Sequence, residues 1–177
     1  DGMAEVIKYG CIKDESLFDF LYNCTSGKLN EQICEIIYKC VDIKRQIVEQ
    51  DEKDTGERML LNFGHTIGHA IEKYYNYNII SHGMAVAIGM RIMAAAGELI
   101  GITEAGTSKK IEGCLQKYLL PYSISSDIME KIPEFVAGDK KNFGKELNLI
   151  MLTKIGNGII YKIPYEEFKQ WRFFNEH

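Results

Sequence analysis

Four histidines occur in this chain of 177 residues, and three of them, His65, His69 and His82, fall close together in sequence. Neutral imidazole ligates divalent metals and is the side chain best suited to moving protons near neutral pH, so the cluster bears on metal binding, acid–base chemistry or both. In Leu60-Leu61-Asn62-Phe63-Gly64-His65-Thr66-Ile67-Gly68-His69 the i, i+4 spacing sets two imidazoles on one helical face, about 6 Å apart in rise. Arg58 and Asn62 extend that face toward the amino end, while Leu61, Phe63 and Ile67 occupy other positions, a pattern unlike a solvated surface. An isolated i, i+4 histidine pair is more often surface or hydrogen-bonded core than a metal site. Here His82 adds a third imidazole just before a stretch of small residues, where its ring would point into a cleft between helices. Gly64, Gly68, Gly83 and Gly89 remove side chains that would hold backbones apart, which serves plain helix packing as well as ligand access.

A catalytic divalent ion of this kind pairs imidazoles with a carboxylate and keeps a position open for water or substrate. Two acids compete for that role. Glu72 lies three residues past His69, and Glu5 sits in the otherwise apolar helical start Gly2-Met3-Ala4-Glu5-Val6-Ile7-Lys8-Tyr9-Gly10. Glu5 is the better candidate, because an unpaired carboxylate among apolar residues is costly and coordination would offset that cost. The simpler reading of Glu5 alone is a charge favoured by the positive end of a helix.

The elements that must position these groups are mostly helical. The first 120 residues contain no proline, and apolar residues there recur at helical rather than alternating spacing. From Glu31 the positions Ile33, Ile36, Ile37, Cys40, Ile43, Ile47 and Val48 predict one amphipathic helix to about Glu49. A polar loop follows, in which Thr55 is a candidate cap for a helix running from Glu57 through Tyr74. After a break at Tyr75-Asn76-Tyr77-Asn78, Ser81 is positioned to cap a third helix from His82 to about Ile100. Further helices are expected at Glu104 to Tyr118, with Thr103 as cap, and at Ser126 to Ala137. Leu147 to Thr153 and Gly158 to Ile163 flank Ile155-Gly156-Asn157 as a small hairpin, and a short helix from Tyr165 to Phe174 closes the chain. The expected fold is mainly α with one small β-hairpin, a single domain over residues 1–177, and without the strand–helix alternation of a dinucleotide-binding sheet.

Composition excludes several functions. A net charge of −4 supplies no general basic field for nucleic acid, so any bound anion must be held by a local pocket. Cys11, Cys24, Cys34, Cys40 and Cys114 are odd in number and lack C-x-x-C spacing, so they read as reduced core thiols. No apolar run approaches the ~20 residues needed to span a bilayer and no signal segment is visible, which makes the cytoplasm the expected location. The opening Asp1-Gly2 runs straight into the Glu5 segment, which suggests a piece cut from a longer protein.

Four ordered motifs carry a resemblance: Gly2-Met3-Ala4-Glu5-Val6-Ile7-Lys8; Arg58-x3-Asn62-Phe63-Gly64-His65-Thr66-x2-Gly68-His69-Ala70-x-Glu72; His82-Gly83-x-Ala85-Val86-Ala87-x-Gly89-Met90; and Asp139-Lys140-Lys141-Asn142. In order and spacing, over nearly the whole chain, they resemble 3-dehydroquinate synthase. The resemblance implies the multi-helical carboxy-terminal domain of that superfamily, with the NAD-binding domain preceding it and absent from this chain, so that the chain alone would be inactive. It implies zinc or cobalt on Glu5, His65 and His82, and a substrate- and proton-handling role for His69. Lys8, Lys44 and Arg58 match positions around the substrate's hydroxyls and carboxylate, with Lys8 close to the chemistry. Asn62, His69 and either Lys140 or Lys141 match positions near the phosphate. Read singly, Lys8 and Lys44 look like a solvated helix face and Lys140-Lys141 like a surface turn; their register with the motifs gives them meaning.

The reaction implied is the NAD-dependent conversion of 3-deoxy-D-arabino-heptulosonate 7-phosphate to 3-dehydroquinate and phosphate in the shikimate pathway, by a protein expected to work as a homodimer. A related cyclase such as 2-deoxy-scyllo-inosose synthase, or a metal-dependent polyol dehydrogenase, would share the helical domain. Arg58, Lys44 and the lysine motif favour an acidic substrate over a neutral polyol. A non-catalytic helical module holding metal for structure is the competing reading from another class.

Overall fold

The computed structural model describes residues 1–51, 56–137 and 146–171. Thr55, the motif Asp139-Lys140-Lys141-Asn142 and the last part of the expected closing helix lie outside the described residues.

The chain opens with α1 (Gly2–Ile12) and α2 (Glu15–Asn23), the latter capped by Asp14, whose carboxylate accepts from the Leu17 amide at 3.0 Å. After the short α3 (Ser26–Glu31), α4 (Ile33–Gln50) turns Ile36, Cys40, Ile43 and Ile47 into the core. Ile33, Ile37 and Val41 stay exposed, so the buried stripe is narrower than the apolar pattern suggests. Cys34 is also exposed, which corrects its reading as a core thiol; the other four cysteines are buried, and all five are free.

The helix expected from Glu57 through Tyr74 is divided. A 3-10 helix (Glu57–Asn62) ends at Phe63, Gly64 takes a left-handed conformation with φ +79°, and α5 (His65–Tyr74) starts afresh. Arg58 and Asn62 therefore do not continue the α-helical face of His65 and His69. The cause is tertiary: a Cβ at Gly64 would stand 2.8 Å from the Met90 nitrogen and the Val86 carbonyl oxygen, so the chain turns here against the next helix.

That next helix, α6 (His82–Leu99), is central, with Gly83, the run from Ala85 to Met90, and Ile92 to Ala94 buried. Ser81 does not cap it; its hydroxyl instead donates to the Asp1 carboxylate, tying the start of α6 to the start of α1. Thr103 likewise caps nothing: its hydroxyl donates to the Leu152 carbonyl at 2.6 Å, and α7 (Thr107–Lys117) begins after Gly106. The helix expected at Ser126 to Ala137 splits into α8 (Ser126–Met129) and α9 (Ile132–Ala137), since Pro133 has no amide hydrogen to donate to Met129 and is accommodated in a new first turn.

The expected hairpin is present as β1 (Glu146–Lys154) paired antiparallel with β2 (Asn157–Pro164), with Leu147 opposite Ile163 and Leu149 opposite Tyr161. Gly156 supplies the left-handed turn residue, and α10 (Tyr165–Lys169) follows. The core joins α1, α2, α5 and α6 to the inward side of β1, with Phe18, Phe63 and Phe168 among its largest fully buried side chains. Among the described residues no helix is long and apolar enough to cross a membrane.

Candidate metal centre

Three helix beginnings converge. Glu5 lies in the first turn of α1, His65 is the first residue of α5, and His82 is the first residue of α6. One potential ligand atom from each lies within 4.8 Å of the other two. Glu5 Oε1 is 3.8 Å from His65 Nε2, while Glu5 Oε2 accepts from Lys8 Nζ at 2.6 Å.

Two details of the donor set fit a cation. Glu5 Oε1 is buried and has no hydrogen-bond partner, a deficit that a metal ion would remove. His65 Nδ1 stands 3.2 Å from the Phe63 carbonyl, which assigns the ring proton to Nδ1 and leaves the Nε2 lone pair on the Glu5 side. Burial, reinforced by the nearby charge of Lys8, lowers the His65 pKa to about 4, so this imidazole is neutral at pH 7 and has no proton to lose on coordination. Two imidazoles and a carboxylate are a ligand set that zinc accepts with a position left open.

His69 does not join Glu5 and His65. It belongs to a second cluster with Glu72 and His82, whose ligand atoms also lie within 4.8 Å of one another. The three rings form a triangle with centroids 5.1 Å (His65–His82), 5.5 Å (His65–His69) and 5.9 Å (His69–His82) apart. Glu72, weighed from sequence only as a metal ligand, is buried and faces His82, with Nδ1 at 3.2 and 3.3 Å from its two oxygens.

His65, His69 and His82 open onto a cavity of about 760 Å³, with Asn62 and Glu72 in the same wall. Phe135 of α9 and Asn148 of β1 also line it. Asn148 carries no sequence signal, because only the folding of the hairpin brings it here. The segment bearing Lys140 and Lys141 connects these two cavity-lining elements in sequence and lies outside the described residues.

The other expected substrate groups are not in that cavity wall. Lys8 is buried on α1, and desolvation lowers its pKa against the opposing pull of Glu5. Lys44 is exposed on α4, near enough for its charge to disfavour protonation of Lys8. Arg58 is half-buried, its backbone amide donating to the Asp51 carboxylate at 3.2 Å.

The same architecture recurs in solved structures. A 2-deoxy-scyllo-inosose synthase complexed with carbaglucose-6-phosphate, NAD+ and Co2+ superposes with TM-score 0.71 at 21% identity, covering 98% of this chain and 50% of that one. A 2-epi-5-epi-valiolone synthase from Streptomyces hygroscopicus subsp. jinggangensis 5008, with NAD+ and Zn2+ bound, gives 0.77 at 19%, covering 99% and 51%. The fold is that of the dehydroquinate synthase-like cyclases. Residues 2–142 match the profile of the 3-dehydroquinate synthase C-terminal family, and the chain belongs to that family. It is 50% identical over 170 residues to a 3-dehydroquinate synthase of Clostridium perfringens (strain 13 / Type A), covering 96% of this chain and 49% of the relative. The corresponding protein of Clostridium beijerinckii is 48% identical over 169 residues, covering 95% and 48%. The chain spans about half the length of the curated relatives it matches.

Proposed function

We propose that this chain supplies the metal and substrate half of a 3-dehydroquinate synthase, whose whole protein converts 3-deoxy-D-arabino-heptulosonate 7-phosphate to 3-dehydroquinate and phosphate. The observation that carries the reading is the convergence of Glu5, His65 and His82 around a carboxylate oxygen that has no other partner. Zinc or cobalt held by these residues would lower the pKa of a substrate hydroxyl and stabilise negative charge developing on its oxygen. Lys8 holds Glu5 in place through their 2.6 Å ion pair and adds positive charge beside the carboxylate. His69, exposed on the cavity wall, is free to bind substrate and to shuttle a proton.

Lys44 and Arg58 are assigned to the substrate's acid and hydroxyl groups, and Asn62, with Lys140 or Lys141, to the phosphate. A sugar-acid phosphate has two anionic ends, which calls for cations at both. NAD is assigned mainly to the part of the whole protein that precedes this chain's residues, and the whole protein to a cytoplasmic homodimer of the shikimate pathway. The cyclases at 19 and 21% identity share the architecture, whereas the relatives near 50% are 3-dehydroquinate synthases, which favours the acidic substrate.

Calorimetric titration tests the reading: first zinc or cobalt, then the heptulosonate phosphate. One ion per chain and tighter sugar-phosphate binding with the ion in place are expected. Indifference to both ligands would overturn it.

A further inference from the structure

We propose that Glu72 is the positioning residue of this centre: its carboxylate fixes the proton of His82 on Nδ1 and aims Nε2 at the point shared with Glu5 and His65. The inference rests on the metal reading of those three residues.

Glu72 follows His65 by seven residues on α5, so the two share a helical face, with His69 between them. The Glu72 side chain is only 11% exposed, an expensive place for a charge unless a donor meets it. The donor that meets it is His82, whose Nδ1 lies 3.2 and 3.3 Å from the two oxygens. His82 needs such a partner. Its side chain is 48% exposed at the first position of α6, and an unsupported imidazole there would divide its proton between both nitrogens and its ring among several rotamers. A carboxylate behind Nδ1 removes both freedoms, and the resulting Nδ1–H leaves Nε2 as the ligand atom.

The competing arrangement makes Glu72 a ligand itself, with His69 and His82, since those three also lie within 4.8 Å of one another. The hydrogen bonding decides between them. Both Glu72 oxygens have the His82 ring nitrogen within hydrogen-bond distance, whereas Glu5 Oε1 is buried with no partner, so the unmet demand for positive charge lies on the Glu5 side.

The test compares the native chain with Glu72→Gln and Glu72→Ala, reading zinc affinity and stoichiometry by calorimetry and the His82 tautomer of the metal-free chain by long-range proton–nitrogen NMR. Expected are one ion per chain throughout, affinity about 10–100-fold weaker in Glu72→Ala, a smaller loss in Glu72→Gln, whose amide oxygen still accepts, and loss of the Nδ1–H form in step. Affinities within twofold of native, or a native chain taking two ions where the variants take one, would overturn the proposal. If Glu72→Ala does not fold, the isosteric Glu72→Gln still reads both quantities. A native chain that binds no zinc defeats the metal reading instead, and the His82 tautomer in Glu72→Gln then judges the role of Glu72 by itself.

Discussion

Gly89 on α6 and Gly64 at the head of α5 meet backbone to backbone: a Cβ on Gly89 would overlap the Gly64 carbonyl oxygen and lie 2.9 Å from its carbonyl carbon and 3.1 Å from the Gly68 nitrogen. None of these atoms can swing aside as a flexible side chain would. Gly89→Ala must therefore separate α5 from α6, and with them His65 from His82. A loss of about 1–3 kcal/mol is expected, seen as a fall of several degrees in the thermal midpoint and as weaker zinc binding. Gly27→Ala, where nothing lies within 4 Å of the added carbon, is the control and should leave zinc binding unchanged, with the thermal midpoint level or slightly raised because the site is helical.

The division of labour between the histidines is open to direct measurement. His82→Ala removes a residue common to both clusters and should abolish zinc uptake in calorimetry, whereas His69→Ala should spare it because Glu5, His65 and His82 remain. Equal loss from both would contradict the roles assigned.

Glu5 serves two partners, so its removal should register even without metal. Glu5→Ala leaves Lys8 buried without its carboxylate, and a loss of about 2 kcal/mol is expected in urea denaturation with chelator present, less than for a fully buried pair because Glu5 is partly exposed. Adding Lys8→Met to Glu5→Ala should recover much of that loss while zinc binding stays absent.

Acid should weaken the metal-free chain in a defined window. His65 takes up a proton at about 4 in the folded state and near 6.5 when unfolded, so between these values the unfolded chain binds more protons. Stability should then fall as pH drops from 6.5 toward 4, by on the order of 2–3 kcal/mol from this group. In His65→Phe, measured by urea denaturation across that range, this part of the slope should vanish.

Much of this architecture is legible in the residues because it is periodic. The α4 stripe, the small-residue α6 and the hairpin around Gly156 follow from spacing and turn chemistry. What escapes the sequence is decided by distant partners. The break at Phe63 and Gly64 depends on Val86 and Met90 of another helix, and nothing in the local pattern marks it. Ser81 and Thr103 have the right chemistry for caps, yet Asp1 and the Leu152 carbonyl claim their hydroxyls. Of the proposed site, Glu5, His65 and His82 stand out by residue type and motif. The partnership of Glu72 with His82 did not, although an acid three residues past His69 and beside the buried Ile71 was the available signal.

Because Glu5, His65 and His82 all sit in first turns, the amino-terminal ends of α1, α5 and α6 face one locality, each with roughly half a positive charge, in a protein of net charge −4. Their combined field fades within a turn of each helix end, so it favours an anion only at contact, where the Glu5 and Glu72 carboxylates oppose it until a cation offsets them. Capture of an anion should accordingly gain nothing from low salt, since the net charge of −4 opposes its approach, and residence time should be set by the close contacts.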